Sequence, residues 1–152
     1  MIRLAVASDA PQLLALMRGL AQFEGYDDRF AVTEDVLLER GFSAQRPPEF
    51  TAWVAEMEGK LVGHAVIYVI PFTFDLRPTL VLKELFIEAQ ARGQDFGRGL
   101  MRAVIEHGRA MNARLIRWQV LPRNEAAKSF YRQQQAEVDV DWENWYLDLD
   151  RR

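Results

Sequence analysis

The sequence predicts an α/β fold (α+β by some schemes), a mixed sheet with helices on both faces. Three observations predict it. Two runs rich in Val, Ile, Trp and Tyr flank the short polar turn Glu58-Gly59-Lys60, the pattern of a hairpin. Further along, apolar runs alternate with segments whose apolar residues recur at helical spacing. Finally, 49% of the 152 residues are hydrophobic, enough for a single domain spanning 1–152 to bury a core without staples.

Residues 2–6 read as a short strand. Ser8 or Asp9 then caps a helix with Pro11 in its first turn, and Leu13, Leu14, Leu16, Met17, Leu20 and Ala21 share its apolar face. Gly25 and Tyr26-Asp27-Asp28 end that helix. Thr33, followed by Glu34 and Asp35, opens a second helix over 34–40, stopped by Gly41, and Pro47-Pro48 marks a loop. Residues 50–57 and 61–70 are the hairpin strands, with Pro71 ending the second. A turn at Arg77-Pro78-Thr79 leads to a strand over 80–87. A glycine-bearing loop follows, then a helix over 97–111 with Leu100, Met101, Val104, Ile105 and Gly108 on its apolar face. The largely apolar 115–120 predicts a central strand, 125–134 a helix, and 139–149 a final strand region.

Composition excludes several classes of function. With no cysteine there are no disulfides, no thiolate metal sites and no cysteine nucleophile. The two histidines, His64 and His107, are far apart in sequence, so no metal site is expected. A net charge of −3 offers no basic face for nucleic acid. No apolar run approaches the ~20 residues of a membrane span, and the start carries no signal-peptide pattern. A soluble, cytoplasmic protein is the expectation.

The strongest chemical signal is the loop Arg92-Gly93-Gln94-Asp95-Phe96-Gly97-Arg98-Gly99, between a strand and a helix. A loop feeding a helix N-terminus offers free backbone N–H groups and the positive end of the helix dipole. Glycines let the backbone approach an anion, and Arg92 and Arg98 add charge. Such geometry suits a pyrophosphate. An ordinary strand-to-helix connection explains the glycines equally well. The loop is not a P-loop, because no Gly-Lys-Ser/Thr follows, and it lies too late in the chain for a dinucleotide fingerprint.

Together with Leu82-Lys83-Glu84-Leu85-Phe86-Ile87 before it and Asn124-Glu125-Ala126-Ala127-Lys128-Ser129-Phe130-Tyr131 after it, this loop resembles the GNAT N-acetyltransferase superfamily. Ile2-Arg3, Asp9, residues 20–24, Thr33-Glu34, residues 37–39, Gly41-Phe42, Arg77-Pro78 and Trp145 extend the resemblance to the diamine (spermidine/spermine or thialysine) acetyltransferases, particularly bacterial relatives. The resemblance implies the acyl-CoA N-acyltransferase fold, a mixed, mostly antiparallel sheet flanked by helices with one splayed parallel strand pair. It implies acetyl-CoA as co-substrate, a homodimer, and acetyl transfer to a primary amine.

The resemblance also implies roles. Leu85, Phe86 and Ile87 would hold the pantetheine by their backbones. Arg92, Gly93, Gln94, Asp95, Phe96, Gly97 and Arg98 would hold the pyrophosphate, and Asn124 and Ala127 would line the cofactor's other side. Tyr131 would be the acid for the leaving thiolate; a phenol with pKa ~10 stays protonated at neutral pH. A packed helix aromatic is the alternative. Glu84 would bind or deprotonate the amine, or else form a structural ion pair with an arginine. Phe23, Glu24, Lys83 and Trp145 would contact the substrate. Asp27 and Asp28 fit either a polycation site or a solvated helix end. Phe72-Thr73-Phe74-Asp75 would wall the acceptor site or form an exposed loop. His64 reads as a satisfied core histidine, His107 as solvated, and the Met and Trp residues as core.

Three departures from the family pattern matter. Asp95 stands where the middle glycine of the phosphate loop is expected, bringing a carboxylate to an anion site. A second register over 94–99 keeps both of its glycines, but ungapped flanks favour the first. Lys83 replaces an acid, and Gln135 replaces the glycine that closes the Tyr131 helix in a left-handed conformation. Three functions stay open: a small-molecule amine acetyltransferase, a non-catalytic acyl-CoA-binding or dimerisation module, and a protein N-acetyltransferase.

Overall fold

Ile2–Leu4 (β1), Thr51–Met57 (β2), Lys60–Ile70 (β3), Thr79–Ile87 (β4) and Leu115–Arg117 (β5) form one sheet in sequence order. Neighbours are antiparallel except β4 and β5, which are parallel. The helices are Ala10–Glu24 (α1), Glu34–Phe42 (α2), Phe96–Ala110 (α3) and Glu125–Gln133 (α4). The computed structural model describes residues 1–151. Met1–Gln119 form one compact unit, and a second begins at Val120.

Local sequence explains the turns and caps. Glu58 and Gly59 are both left-handed (φ 53° and 79°), which matches the twist of the β2–β3 hairpin. Thr33 Oγ1 accepts the Val36 N–H at 3.3 Å and caps α2. Asp9 precedes α1, but its carboxylate turns back. It accepts the Val6 N–H at 2.8 Å and two Arg3 N–H groups at 2.7 and 3.0 Å. Gly41 does not stop α2, which runs on to Phe42. It is a packing glycine, since a Cβ there would stand 2.2 Å from the Phe50 ring.

Adjacent residues on a strand face opposite ways, so Trp53 and Val54 separate the two sides of the sheet. Val54, Val66 and Phe86 pack with Leu13, Leu16, Met17 and Leu37 under α1 and α2. On the other side, the His107 ring of α3 lies edge-on to Trp53 at 5.1 Å, and Gly108 abuts the Leu80 side chain. His107 is therefore a packed residue, not a solvated one.

Other expectations also need correction. β5 ends at Arg117 and is an edge strand, not a central one, and its Leu115 is exposed. No strand forms over 139–149; Val140, Trp142, Trp145, Tyr146, Leu147 and Leu149 are exposed there. Alternating apolar character in that segment has no sheet partner to bury it. Of the tryptophans only Trp53 is core.

Candidate functional site

After β4, a single 3-10 turn at Ala89–Ala91 leads to the loop. Gly93 (φ 79°) and Asp95 (φ 66°) are left-handed, and α3 starts at Phe96. Gly99 is the first helical N–H to close, onto Asp95 O at 3.0 Å. The N–H groups of Gly93, Gln94, Asp95, Phe96, Gly97 and Arg98 donate to no carbonyl among the described residues. Six donors at the positive end of a 15-residue helix fit a pyrophosphate. The Asp95 side chain is 78% exposed and lies 3.6 Å from Arg98. Arg92 lies over the rings of Phe23 (5.3 Å) and Phe86 (5.9 Å) and donates to Ile87 O at 3.0 Å. It ties the loop to the end of α1.

The sheet opens beside this loop. Thr79, Leu80 and Val81 pair with β5, but β4 from Leu82 onward pairs only with β3. One backbone edge of Leu85, Phe86 and Ile87 is thus left for an amide-bearing ligand to satisfy.

A bulge in β4 aims the acid. Leu82 pairs with Ile67 and Glu84 with the adjacent Val66, so Lys83 is an extra residue. The inserted residue turns Glu84 to the α1 side of the sheet and leaves Lys83 exposed. Glu84 Oε1 meets Nε2 of the fully buried His64 at 2.9 Å, so its partner is a histidine and not an arginine. Burial pushes the Glu24 carboxyl up, the Glu84 charge adds to this, and Lys83 opposes it. Burial likewise pushes the Tyr26 phenol up, helped by Glu84 and then Glu24. Phe23, Glu24, Tyr26, Lys83, Glu84 and Arg92 thus share one neighbourhood. Asp27 and Asp28 are exposed, as are Phe72 and Phe74 of the loop after β3. No His/Asp/Glu cluster able to hold a metal exists among the described residues, and no helix there is long and apolar enough to cross a membrane.

Residues 14–135 match the model of the acetyltransferase (GNAT) family. The chain belongs to the GNAT family. It is an acetyl-CoA-dependent N-acetyltransferase. Among curated GNAT relatives it is 29% identical to the thialysine N-epsilon-acetyltransferase of Mus musculus, covering 95% of this chain and 88% of that one. It is 28% identical to the spermidine/spermine N(1)-acetyltransferase-like protein 1 of Homo sapiens, covering 96% of this chain but 22% of the longer human one. A solved aminoglycoside acetyltransferase from an uncultured soil sample shares the fold, with TM-score 0.80 at 20% identity over 97% and 96% of the two chains.

The second unit of this GNAT chain carries the remaining candidates. Asn124 caps α4, its Oδ1 accepting the Ala127 N–H at 3.1 Å. Its side-chain oxygen thus already serves the helix. Tyr131 is half-buried, its ring 5.5 Å from that of Phe130. Gln135 is left-handed (φ 65°), in the position where the family's glycine is expected. Trp145 is 86% exposed and donates from Nε1 to Glu143 at 2.8 Å.

Sequence reasoning missed two members of the neighbourhood, His64 and Tyr26. Tyr26 is placed by the left-handed Gly25 that ends α1. The available signal for His64 was a polar residue two strand positions before Val66, on the face that Glu84 shares only because of the bulge.

Proposed function

We propose that the chain acetylates the primary amine of a small cationic molecule, a polyamine, a thialysine-like amino acid or a similar amine. The observation that carries this reading is the acidic pair Glu24 and Glu84, with Tyr26, beside the unpaired edge of β4. A half-buried acidic pair favours a cation, and an ammonium relieves the repulsion between the two carboxylates. The thialysine acetyltransferase named above acts on an amine of this class, and the human relative is named for its likeness to a spermidine/spermine acetyltransferase. In this reading Leu85, Phe86 and Ile87 hold the pantetheine, Arg92 to Arg98 hold the pyrophosphate, and Asn124 and Ala127 line the cofactor. Phe23, Lys83 and Trp145 contact the amine. The assembly is a homodimer.

Free alkylamines are protonated at neutral pH, so the nitrogen must first lose a proton. Glu84 takes it. The neutral nitrogen attacks the thioester carbon, the C–N bond forms and the C–S bond breaks. The thiolate takes its proton from the Tyr131 phenol. The second nitrogen proton, lost as the intermediate collapses, restores the phenol.

Calorimetric titration with acetyl-CoA, followed by a screen of amines for CoA release, tests this reading. Binding and turnover with di- or polyamines are expected. Absence of binding at millimolar acetyl-CoA would return the chain to a non-catalytic role, and turnover only with peptide amines would make it a protein acetyltransferase. Tyr131→Phe should lower kcat by about 100-fold or more with acetyl-CoA affinity retained. Unchanged turnover would remove Tyr131 as the acid.

A further inference from the structure

We propose that His64 is a positioning residue for the acetyl transfer, fixing the Glu84 carboxylate so that its second oxygen receives the amine proton. The inference rests on the reading of Glu84 as the base.

His64 lies inside β3, paired with Val54 and Phe86, and has no exposed surface. Its Nδ1 is the one buried side-chain nitrogen or oxygen without a hydrogen-bond partner among the described residues. Leucine or phenylalanine would fill this apolar site without desolvating a polar atom. The His64 ring also packs 6.1 Å from that of Phe86, a contact another apolar ring could make, whereas its one hydrogen-bonding contact is with Glu84, at 2.9 Å.

The contact also defines the tautomer. A bare Nδ1 is least costly as a lone pair, so the ring N–H sits on Nε2 and donates to Glu84 Oε1. Glu84 receives this bond as an acceptor. Its Oε2 makes no hydrogen bond among the described residues, and the side chain is 17% exposed. The bulge at Lys83 completes the device. Without the extra residue Glu84 would face α3 with Leu82, away from His64. Two sequence-distant features, a buried imidazole and an inserted strand residue, therefore converge on one carboxylate. A glutamate has three side-chain torsions, and an immobile N–H donor holds it in one geometry before the amine arrives.

The test compares Glu84→Gln, His64→Leu and His64→Gln. Glutamine can offer an N–H near the position of Nε2, and leucine cannot. Glu84→Gln should abolish most turnover; if it does not, the reading of Glu84 fails and the role of His64 falls with it. Given that loss, His64→Leu should lower kcat roughly 10- to 100-fold with the KM for acetyl-CoA unchanged. His64→Gln should recover most of the lost kcat. Wild-type kcat in His64→Leu would overturn the proposal. So would equal losses in the Leu and Gln variants with equally lowered melting temperatures, the mark of a purely structural residue. Should His64→Leu not fold, His64→Met, which also lacks an N–H, serves in its place.

Discussion

At the scale of single residues, the acidic pair at the end of α1 has a pH signature. The Glu24 carboxyl is held above its usual range by burial first and by Glu84 second. Its ionised form is therefore disfavoured in the fold, and the group becomes a full anion only as pH rises through that elevated value. A cationic amine needs the anion. The KM for the amine should rise as pH falls through the raised Glu24 titration, in a range where an ordinary glutamate would still be ionised. Glu24→Gln should remove that dependence and raise the amine KM about fivefold, the equivalent of about 1 kcal/mol. Steady-state kinetics from pH 4.5 to 8 check both outcomes; a KM unaffected by the substitution removes Glu24 from the acceptor site. Asp9 shifts the other way. Arg3 foremost, then the Val6 N–H, hold its carboxyl below the usual range against its burial. Its contribution to stability is complete above pH ~4 and is lost as pH falls through the lowered value. Asp9→Asn should cost roughly 2–3 kcal/mol by denaturant unfolding at pH 7 and flatten the acid side of the stability profile. Glu84 can be found in the sequence because it sits in a recognisable strand. His64 cannot be assigned, because a histidine within Val-Gly-His-Ala-Val looks like any buried core residue until the bulge brings Glu84 to it.

At the scale of elements, the two substituted glycines report how the fold tolerates side chains where none is preferred. Asp95 adopts φ 66° at the start of α3, and Gln135 adopts φ 65° after α4. The Gln135 site closes its helix in a Schellman motif, with Ala136 N–H on Tyr131 O at 3.1 Å and Gln135 N–H on Arg132 O at 2.9 Å. Gln135→Gly should stabilise by about 1 kcal/mol, read as a rise of ~2–4 °C in Tm. Asp95→Gly should gain less stability, since Asp tolerates left-handed backbone better than Gln. It should tighten acetyl-CoA binding, because a negative charge leaves the neighbourhood of the six open N–H groups. Calorimetry at two salt concentrations checks the second point; affinity identical to the unsubstituted protein at low salt would mean that the outward Asp95–Arg98 pair already removes the carboxylate from the anion. Most elements are legible to within a residue or two, because hairpin, caps and helical faces are written locally. The loop's left-handed residues can be inferred from its glycines. The short β5 cannot, because where a parallel strand parts from its neighbour depends on the sheet and not on its own apolar run.

At the scale of the whole molecule, the second unit carries a run of exposed apolar side chains near its end. Trp142, Trp145, Tyr146, Leu147 and Leu149 are each at least 77% exposed, with Val138 and Val140 beside them. Where exposed apolar side chains cluster on a protein, they mark an association site. Three aromatic side chains at ~150–250 Å² each, with two leucines and two valines, approach the ~800 Å² per partner of a stable interface. A second copy of the same segment supplies a matching surface under two-fold symmetry. This is the physical content of the proposed homodimer, and it accounts for an apolar C-terminal sequence that reads as a strand yet forms none. Sedimentation at micromolar concentration should show twice the mass of a 17.6 kDa chain. Trp142→Ser combined with Leu147→Ser should shift that species toward monomer while leaving the far-ultraviolet dichroism of the first unit's helices and strands in place. A dimer of unchanged stability in the double variant would move the interface elsewhere on the chain, and a monomeric parent protein at the same concentration would remove the dimer altogether.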